Sequence, residues 1–117
     1  MFSEQGQYYE QMAIEFLRQK GYAILQTNWR WKQWEIDIIA EKDGWLIFVE
    51  VKGRSHNTFG KPYEFIDKRK ENALLMAAKT YIDQNNITTD VRFDAISILK
   101  NQNGSYSIEH LENIFLL

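Results

Sequence analysis

An Asp-Gly pair between two strand-like runs constrains the fold of this chain more than any other feature. The pair is Asp43-Gly44, in the middle of the segment 35–54, which reads EIDIIAEKDGWLIFVEVKGR. Both central positions of a two-residue hairpin turn need a positive φ, which Asp, Asn and Gly adopt most readily. The sequence therefore predicts a tight antiparallel hairpin in which Lys42 faces Trp45.

The predicted register brings acidic residues of the two strands together. Counting outward from the turn places Asp37 opposite Glu50. Two steps further, Glu35 lies opposite Lys52, and strand alternation puts all four on one face. The other face is then entirely apolar, with Ile36, Ile38, Ala40, Ile47, Val49 and Val51. Toward the turn, the acidic face carries Ile39, Leu46 and Phe48. We expect an apolar element to cover that end and to leave the acidic end open.

Two facing carboxylates need a cation or a proton between them. Facing strand residues lie about 5 Å apart at Cβ, and two ionised carboxylates at that distance repel each other. Mg²⁺ suits the gap, because it takes a few carboxylate oxygens and keeps several waters. Lys52 would lie beside that ion, where it can orient or deprotonate a water, or stabilise negative charge. The alternative is a solvated face with a Glu35–Lys52 pair, but it does not explain Asp37 opposite Glu50.

Motifs along the chain resemble a known family. Asp37, followed by Glu50-Val51-Lys52 on the next strand, resembles the D…ExK core of the PD-(D/E)XK nuclease superfamily. The ordered runs NWRWKQWEIDIIA, FVEVKGR, FGKPYEFIDKRK and RFDAISI resemble the YraN-type family of small bacterial proteins. That family is similar to archaeal Holliday-junction resolvases. The resemblance spans about residues 6–98.

The resemblance implies a metal-dependent endonuclease that hydrolyses DNA, with branched DNA as a possible substrate. It implies that Asp37 and Glu50 bind Mg²⁺ or Mn²⁺ and that Lys52 is the catalytic lysine. Glu10 matches a glutamate on the first helix of the family, which contributes to the metal site in resolvase relatives. The family usually has glycine where Tyr9 and Trp34 stand in this sequence. Trp34 therefore places a bulky ring next to the expected site.

The rest of the chain predicts helices and strands around the hairpin, in the order α-β-β-β-α-β-β. Apolar spacing predicts a helix over 3–20 that Gly21 ends. The other predicted elements are a strand over 22–31, a helix from Tyr63 or Asp67 to Gln84 that Asn85-Asn86 breaks, and strands over 90–99 and 106–111 around an Asn103-Gly104 turn. The resemblance implies a restriction-endonuclease-like α/β fold, a mixed sheet flanked by helices, as one domain over 1–117.

Basic residues are predicted around the acidic cluster. The segment 53–62 is predicted as a loop that leaves the site, which places Arg54 near a substrate phosphate. Lys70 falls on the apolar stripe of the second helix, from which it can reach the acidic cluster or solvent. The family also has a lysine here, so we predict a phosphate contact. Arg92 and Asp94, on one side of a strand, predict a structural ion pair.

The charge balance stands against the simplest DNA-binding interpretation. There are 14 basic and 16 acidic residues, for a net charge of −2, whereas affinity for DNA comes largely from Lys and Arg. A local positive patch can still coexist with that charge. One alternative is therefore a binding module for nucleic acid or protein, with weak or absent cleavage. Another is a homodimer formed through the strands that hold Trp29, Trp31, Trp34 and Trp45, whose rings we assign to core or interface rather than to base stacking.

Composition indicates the cellular compartment in which we expect the protein. The chain has no cysteine, which excludes disulfides and thiolate chemistry. The polar, acidic start MFSEQGQYYE does not resemble a signal peptide. No apolar run approaches the roughly 20 residues of a membrane span. We therefore expect a cytoplasmic protein without a membrane partner.

Overall fold

Two helices and five strands follow one another in the predicted order. The computed structural model of the chain describes residues 4–56 and 66–115. The elements are α1 (Glu4–Gln19), β1 (Ala23–Trp31), β2 (Trp34–Lys42), β3 (Trp45–Ser55), α2 (Lys68–Gln84), β4 (Asp90–Lys100) and β5 (Tyr106–Phe115). Neither helix of the described segments is long and apolar enough to cross a bilayer.

The strands form one mixed sheet in the order β1-β2-β3-β4-β5. Three neighbouring pairs are antiparallel, whereas β3 and β4 are parallel. A parallel pair needs a crossover connection, and α2 lies in that connection. The predicted mixed sheet is thus confirmed. A mixed sheet with a helix on each face is the predicted restriction-endonuclease-like α/β fold.

The sheet is buried on both faces, in two apolar layers. The α1-side layer consists of Tyr9, Ala13, Ile14, Leu17, Tyr22, Ile38, Ala40, Ile47, Val49, Ile96 and Ile98. The α2-side layer consists of Ile36, Ile39, Leu46, Phe48, Leu74, Ala77, Ala78, Tyr81 and Phe93. The central strands β3 and β4 contribute to both layers, so they can hold a site rigidly at their ends.

The predicted turn and helix boundaries are largely confirmed. Asp43 and Gly44 have φ values of 52° and 82°, as a two-residue turn requires. The predicted hairpin register holds from Lys42↔Trp45 to Ile38↔Val49. Asp67 caps α2, since its carboxylate accepts a hydrogen bond of 2.8 Å from the Lys70 N–H.

Two strands extend further than predicted. β3 continues through Gly53–Ser55, which the sequence placed in a loop, because parallel β4 pairs with it as far as Ser55↔Lys100. β5 reaches Phe115 instead of ending at Leu111, since its pairing with β4 resumes at Phe93↔Phe115. The rest of the predicted loop after residue 56, and the alternative helix start at Tyr63, lie outside the described residues.

The predicted face pattern of β2 is wrong on one side of Asp37. The sequence placed Ile36 with Ile38, but Ile36 belongs to the α2-side layer and Ile38 to the α1-side layer. The cause lies across the ladder, where Asn28 has a φ of 52° between the pairs Thr27↔Ile38 and Trp29↔Ile36. A residue with positive φ breaks strand alternation. Asp37 and Glu35 therefore face α1, and the four polar residues of the hairpin do not all share one face.

Candidate metal centre

Asp37 lies where the pairing of β2 with β3 stops. The ladder ends at Ile38↔Val49, so the predicted facing pairs Asp37–Glu50 and Glu35–Lys52 are not ladder partners. Instead, Asp37 Oδ2 accepts a hydrogen bond of 2.8 Å from the Val51 N–H. A side-chain carboxylate has taken the place of a strand carbonyl. This contact holds the Asp37 carboxyl at the point where β2 and β3 separate, beyond the pair Ile38↔Val49. We call this point the fork.

The Asp37 and Glu50 carboxyls nevertheless meet, as the sequence predicted. They hydrogen-bond to each other, although Glu50 follows the alternation of β3 toward α2. Glu50 is 4% exposed, and the Lys70 Nζ of α2 lies 2.6 Å from its Oε2. The fork thus connects the two faces of the sheet. The predicted ladder does not extend to these residues, but the two acids can share one ion or one proton.

Two further acids complete the cluster from the α1 side. Carboxylate oxygens of Glu10, Glu35 and Asp37 all lie within 4.8 Å of one another. The Asn28 Nδ2 donates to Glu10 Oε1 at 2.8 Å and to Glu35 Oε1 at 3.4 Å. The structure therefore brings together the three predicted acids, and it adds Glu35, which the sequence placed on the hairpin face but did not assign as a site residue.

Burial and mutual repulsion disfavour the charged forms of these acids. Burial, followed by the charge of Glu50, raises the pKa of Asp37 to about 8. Burial also raises the pKa of Glu10 and of Glu35, and the charge of Asp37 adds to both shifts. Two cations offset part of the negative charge of the cluster. Lys70 contacts Glu50, and Arg30 lies 3.5 Å from Glu35. Even with a proton on Asp37, three carboxyls against two cations leave a negative excess, and the hard oxygen donors of the cluster suit Mg²⁺ or Mn²⁺.

A cavity of about 420 Å³ opens onto the cluster from the α1 side. It is lined by Gln5, Gly6, Tyr9 and Glu10 of α1, by Asp37, and by Val51, Lys52, Gly53, Arg54 and Ser55 of β3. Both Lys52 and Arg54 thus lie at the predicted site. Lys52 is exposed and makes no salt bridge with any residue in the described part of the chain.

Gly53 has a packing role beside the cavity. A Cβ at this position would overlap the ring of Tyr9, which is buried against the end of β3. Only glycine lets the aromatic ring lie directly on the strand backbone. The contact fixes the first turns of α1, which carry Glu10, against the strand that carries Glu50 and Lys52.

Asn28 is the site residue that sequence analysis missed. A signal was present, because Asn is depleted in strand interiors and is one of the few residues that tolerate positive φ. The sequence did not show that the amide would reach two acids of the cluster. Lys70 was predicted to reach either the acidic cluster or solvent, and it contacts Glu50. Its proposed contact with a phosphate stays a prediction.

Fold and site together define an α/β protein of the restriction-endonuclease-like class with a carboxylate cluster at a fork between strands. Residues 9–98 match the uncharacterised protein family UPF0102, and the chain belongs to that family, as the YraN-type resemblance predicted. Its relatives include UPF0102 proteins of Flavobacterium psychrophilum, 42% identical over 94% of this chain and 92% of its own length, and of Christiangramia forsetii, 40% identical over 97% and 94%. A UPF0102 protein of a Sulfurihydrogenibium species is 41% identical over 98% of this chain and 96% of its own length.

Proposed function

We propose that this protein is a Mg²⁺- or Mn²⁺-dependent nuclease that hydrolyses phosphodiester bonds of DNA, including branched DNA. The observation that carries the proposal is the meeting of Asp37 and Glu50 in the fork between β2 and β3, with Glu10 and Glu35 within reach. Burial raises the pKa values of Asp37, Glu10 and Glu35, and repulsion from a neighbouring carboxylate adds to each shift. A divalent cation would relieve that repulsion.

Each residue has a distinct task in this proposal. Asp37 and Glu50 would hold the metal, with Glu10 as a further ligand, directly or through a water. When bound, the ion supplies Lewis acidity and lowers the pKa of a coordinated water. Lys52 orients the attacking water and stabilises the charge that develops on the phosphorus oxygens. Arg54 and Lys70 contact neighbouring phosphates of the substrate strand.

The test is cleavage of synthetic duplexes, flaps and four-way junctions with Mg²⁺, Mn²⁺ or Ca²⁺. We expect cleavage with the first two ions, and a loss of about 100-fold or more for Asp37→Asn and for Lys52→Met, because general acid–base and electrostatic contributions are each of that size. Matched controls are Asp90→Asn and Lys79→Met, since both residues are exposed and lie outside the cavity. These variants should retain full activity.

Two results would contradict the proposal. Cleavage that survives both Asp37→Asn and Lys52→Met would come from another site or from a contaminating nuclease. DNA binding without cleavage under any of the three ions would instead favour the binding module. Calorimetric titration with Mn²⁺ separates these cases, because a binding module does not need to take up metal at Asp37.

A further inference from the structure

Trp34 differs from the other tryptophans in what surrounds its ring. Trp29 and Trp31 pack against the α2-side layer, in line with the predicted core role. Trp34 is half-buried but belongs to neither apolar layer of the described residues. Trp45 lies at the far end of β3, 37% exposed. Of the rings close to the acidic cluster, Trp34 is therefore the one whose packing the core does not explain.

Two cations cover the tryptophan pair at the tip of the β1–β2 hairpin. Trp31 and Trp34 are ladder partners, so their Cβ atoms lie about 5 Å apart on one face. The Lys32 ammonium lies 4.6 Å from the ring centre of Trp31. The Arg69 guanidinium lies 5.8 Å from the ring centre of Trp34. Adjacent aromatic rings and cations are the arrangement with which proteins bind single-stranded nucleic acid, because rings stack on bases and cations meet phosphates.

Trp34 and Arg69 are each next in sequence to a residue of, or in contact with, the acidic cluster. Trp34 directly precedes Glu35 on β2. Arg69 directly precedes Lys70 on α2, whose Nζ lies 2.6 Å from Glu50 Oε2. The Trp34 ring is on the α2 face of the sheet, which is the face where Lys70 and Glu50 meet. The cavity opens on the α1 side, so a strand that reaches Trp34 from the cluster has to pass through the fork, where Glu50 and Lys70 meet on the α2 face.

We propose that Trp34 and Arg69 form a stacking site for an unpaired base next to the scissile phosphate. The inference rests on the proposed nuclease function and names the feature of the substrate that the site selects. A base inside a duplex is already stacked on both sides and cannot offer a face to the indole. The preferred substrate is thus DNA in which a strand leaves the duplex, as in a flap or a single-stranded tail.

A purely structural role of Trp34 makes a different prediction. If the Arg69–Trp34 contact only stabilises the hairpin tip, its removal lowers the free energy of unfolding and does not distinguish one DNA from another. The informative quantity is therefore the ratio of the affinities for DNA with and without an unpaired strand. The unfolding midpoint of each variant shows whether it is folded under the conditions of the binding measurement.

The experiment measures binding of a fluorescein-labelled blunt duplex and of the same duplex with a thymidine tail, by anisotropy in Ca²⁺. Because stacking of one base contributes about 1–3 kcal/mol, we expect Trp34→Leu to weaken binding of the tailed DNA about 10-fold. Binding of the blunt duplex should change less than about 2-fold, since that DNA offers no free base to stack. Trp34→Phe should retain most of the affinity, and Trp45→Leu is the matched control that should change neither.

Equal losses on both DNAs, or no loss on either, would overturn the stacking site. Wild-type protein that binds the tailed DNA through Trp34 but cleaves nothing with Mg²⁺ or Mn²⁺ would leave the stacking site in place and remove the nuclease. Wild-type protein that binds neither DNA would overturn both proposals.

Discussion

Two clusters of acidic side chains in this protein have opposite electrostatics. One is the fork cluster, made of Glu10, Glu35, Asp37 and Glu50. The other is the Asp94 network, made of Arg92, Asp94, His110 and Glu112. By spacing alone, each contains three residues that could hold a metal ion. The charges around the two central aspartates differ, because Asp94 has a cation of its own beside it whereas Asp37 faces further carboxyls.

Asp94 has a cation and several hydrogen-bond donors of the same chain beside it. Arg92 donates to both of its oxygens, from Nε at 2.9 Å and Nη2 at 3.0 Å. The Asn113 N–H donates at 3.0 Å, and His110 Nε2 lies 2.8 Å away. Lys20 Nζ lies 2.8 Å from His110 Nδ1, and since an ammonium group can only donate, His110 presents its Nε2–H to Asp94. The predicted Arg92–Asp94 ion pair is thus confirmed, within a larger network.

The pKa shifts of the two central aspartates have opposite signs for this reason. Burial disfavours the charge of both. At Asp94 the hydrogen bonds from His110 and Arg92 outweigh burial, so its pKa lies below the ordinary value. At Asp37 the neighbouring Glu50 adds to burial, and its pKa is raised. A buried carboxylate with its own cations stabilises the fold, whereas one that faces further carboxylates is suited to bind an external ion.

The largest expected effect is the contrast between Asp94→Asn and Asp37→Asn in the free energy of unfolding. Asp94→Asn leaves the half-buried Arg92 with only the more exposed Glu112 as its counter-charge, and removing one partner of a buried pair costs up to about 3–5 kcal/mol. A pKa of about 8 keeps Asp37 mostly protonated at neutral pH, so Asp37→Asn replaces one neutral group with another of similar shape and, in the presence of a chelator, should leave the protein about equally stable. Urea unfolding at neutral pH measures both. A large loss for Asp37→Asn in chelator would show that the two clusters are alike.

A plot of stability against pH should have two limbs, which are pH ranges with slopes of opposite sign. One limb comes from each aspartate. The raised pKa of Asp37 means that the folded state holds its proton more tightly than the unfolded state. Metal-free protein should therefore lose stability as pH rises from about 4 to about 8. The lowered pKa of Asp94 has the opposite sign, so its stabilisation is present above the ordinary pKa and is lost as pH falls below it.

Unfolding midpoints over a pH series in chelator would show both limbs. Asp37→Asn should flatten the limb between about pH 4 and 8, leaving the smaller contributions of Glu10 and Glu35. Mn²⁺ should stabilise the wild type more at pH 8 than at pH 6, because protons compete with the ion for the same carboxyls. An unchanged limb in Asp37→Asn would mean that Asp37 is not the group that takes up the proton.

Local chemistry in the sequence was sufficient to predict the order of the helices and strands and the proximity of Asp37 to Glu50, and the family resemblance supplied the fold class. Asp43-Gly44 fixes the turn and hence the register near it. Asp67 fixes the start of α2 in the same local way. A turn determines the register less reliably for residues that lie further from it. The face of Ile36 was predicted incorrectly because Asn28, on the neighbouring strand, has a positive φ. The contact of the Asn28 amide with Glu10 depends on tertiary packing, which no local pattern encodes.

Asn28 provides a sharper test of the fork cluster, because the Asp94 network contains a counterpart. Asn28 and Asn113 both have positive φ, 52° and 57°, inside strands. The side chain of Asn28 donates to Glu10 and Glu35, whereas Asn113 donates to Asp94 through its backbone N–H. Glycine suits both backbones, so Asn28→Gly removes the amide contacts without backbone strain. Asn113→Gly leaves its hydrogen bond to Asp94 intact.

We expect Asn28→Gly to weaken Mn²⁺ binding about 10- to 100-fold, the usual cost of losing a group that orients metal ligands. Asn113→Gly should bind Mn²⁺ as the wild type does. Isothermal titration at pH 8 measures both affinities, and circular dichroism confirms folding. Equal affinities for the two variants would show that Asn28 only shapes the strand and does not orient the acids.

The smallest expected effect comes from Arg30, which lies 3.5 Å from Glu35 with its side chain 56% exposed. If the negative excess is what distinguishes the fork cluster, removing a nearby cation should favour binding of another. Exposed ion pairs contribute about 0.2–1 kcal/mol, so Arg30→Gln should strengthen Mn²⁺ binding by about 2- to 5-fold. The gain should shrink at high salt, because screening weakens interactions between exposed charges. Weaker Mn²⁺ binding in Arg30→Gln would mean that Arg30 positions Glu35 for the ion, and that geometry rather than charge balance separates the two clusters.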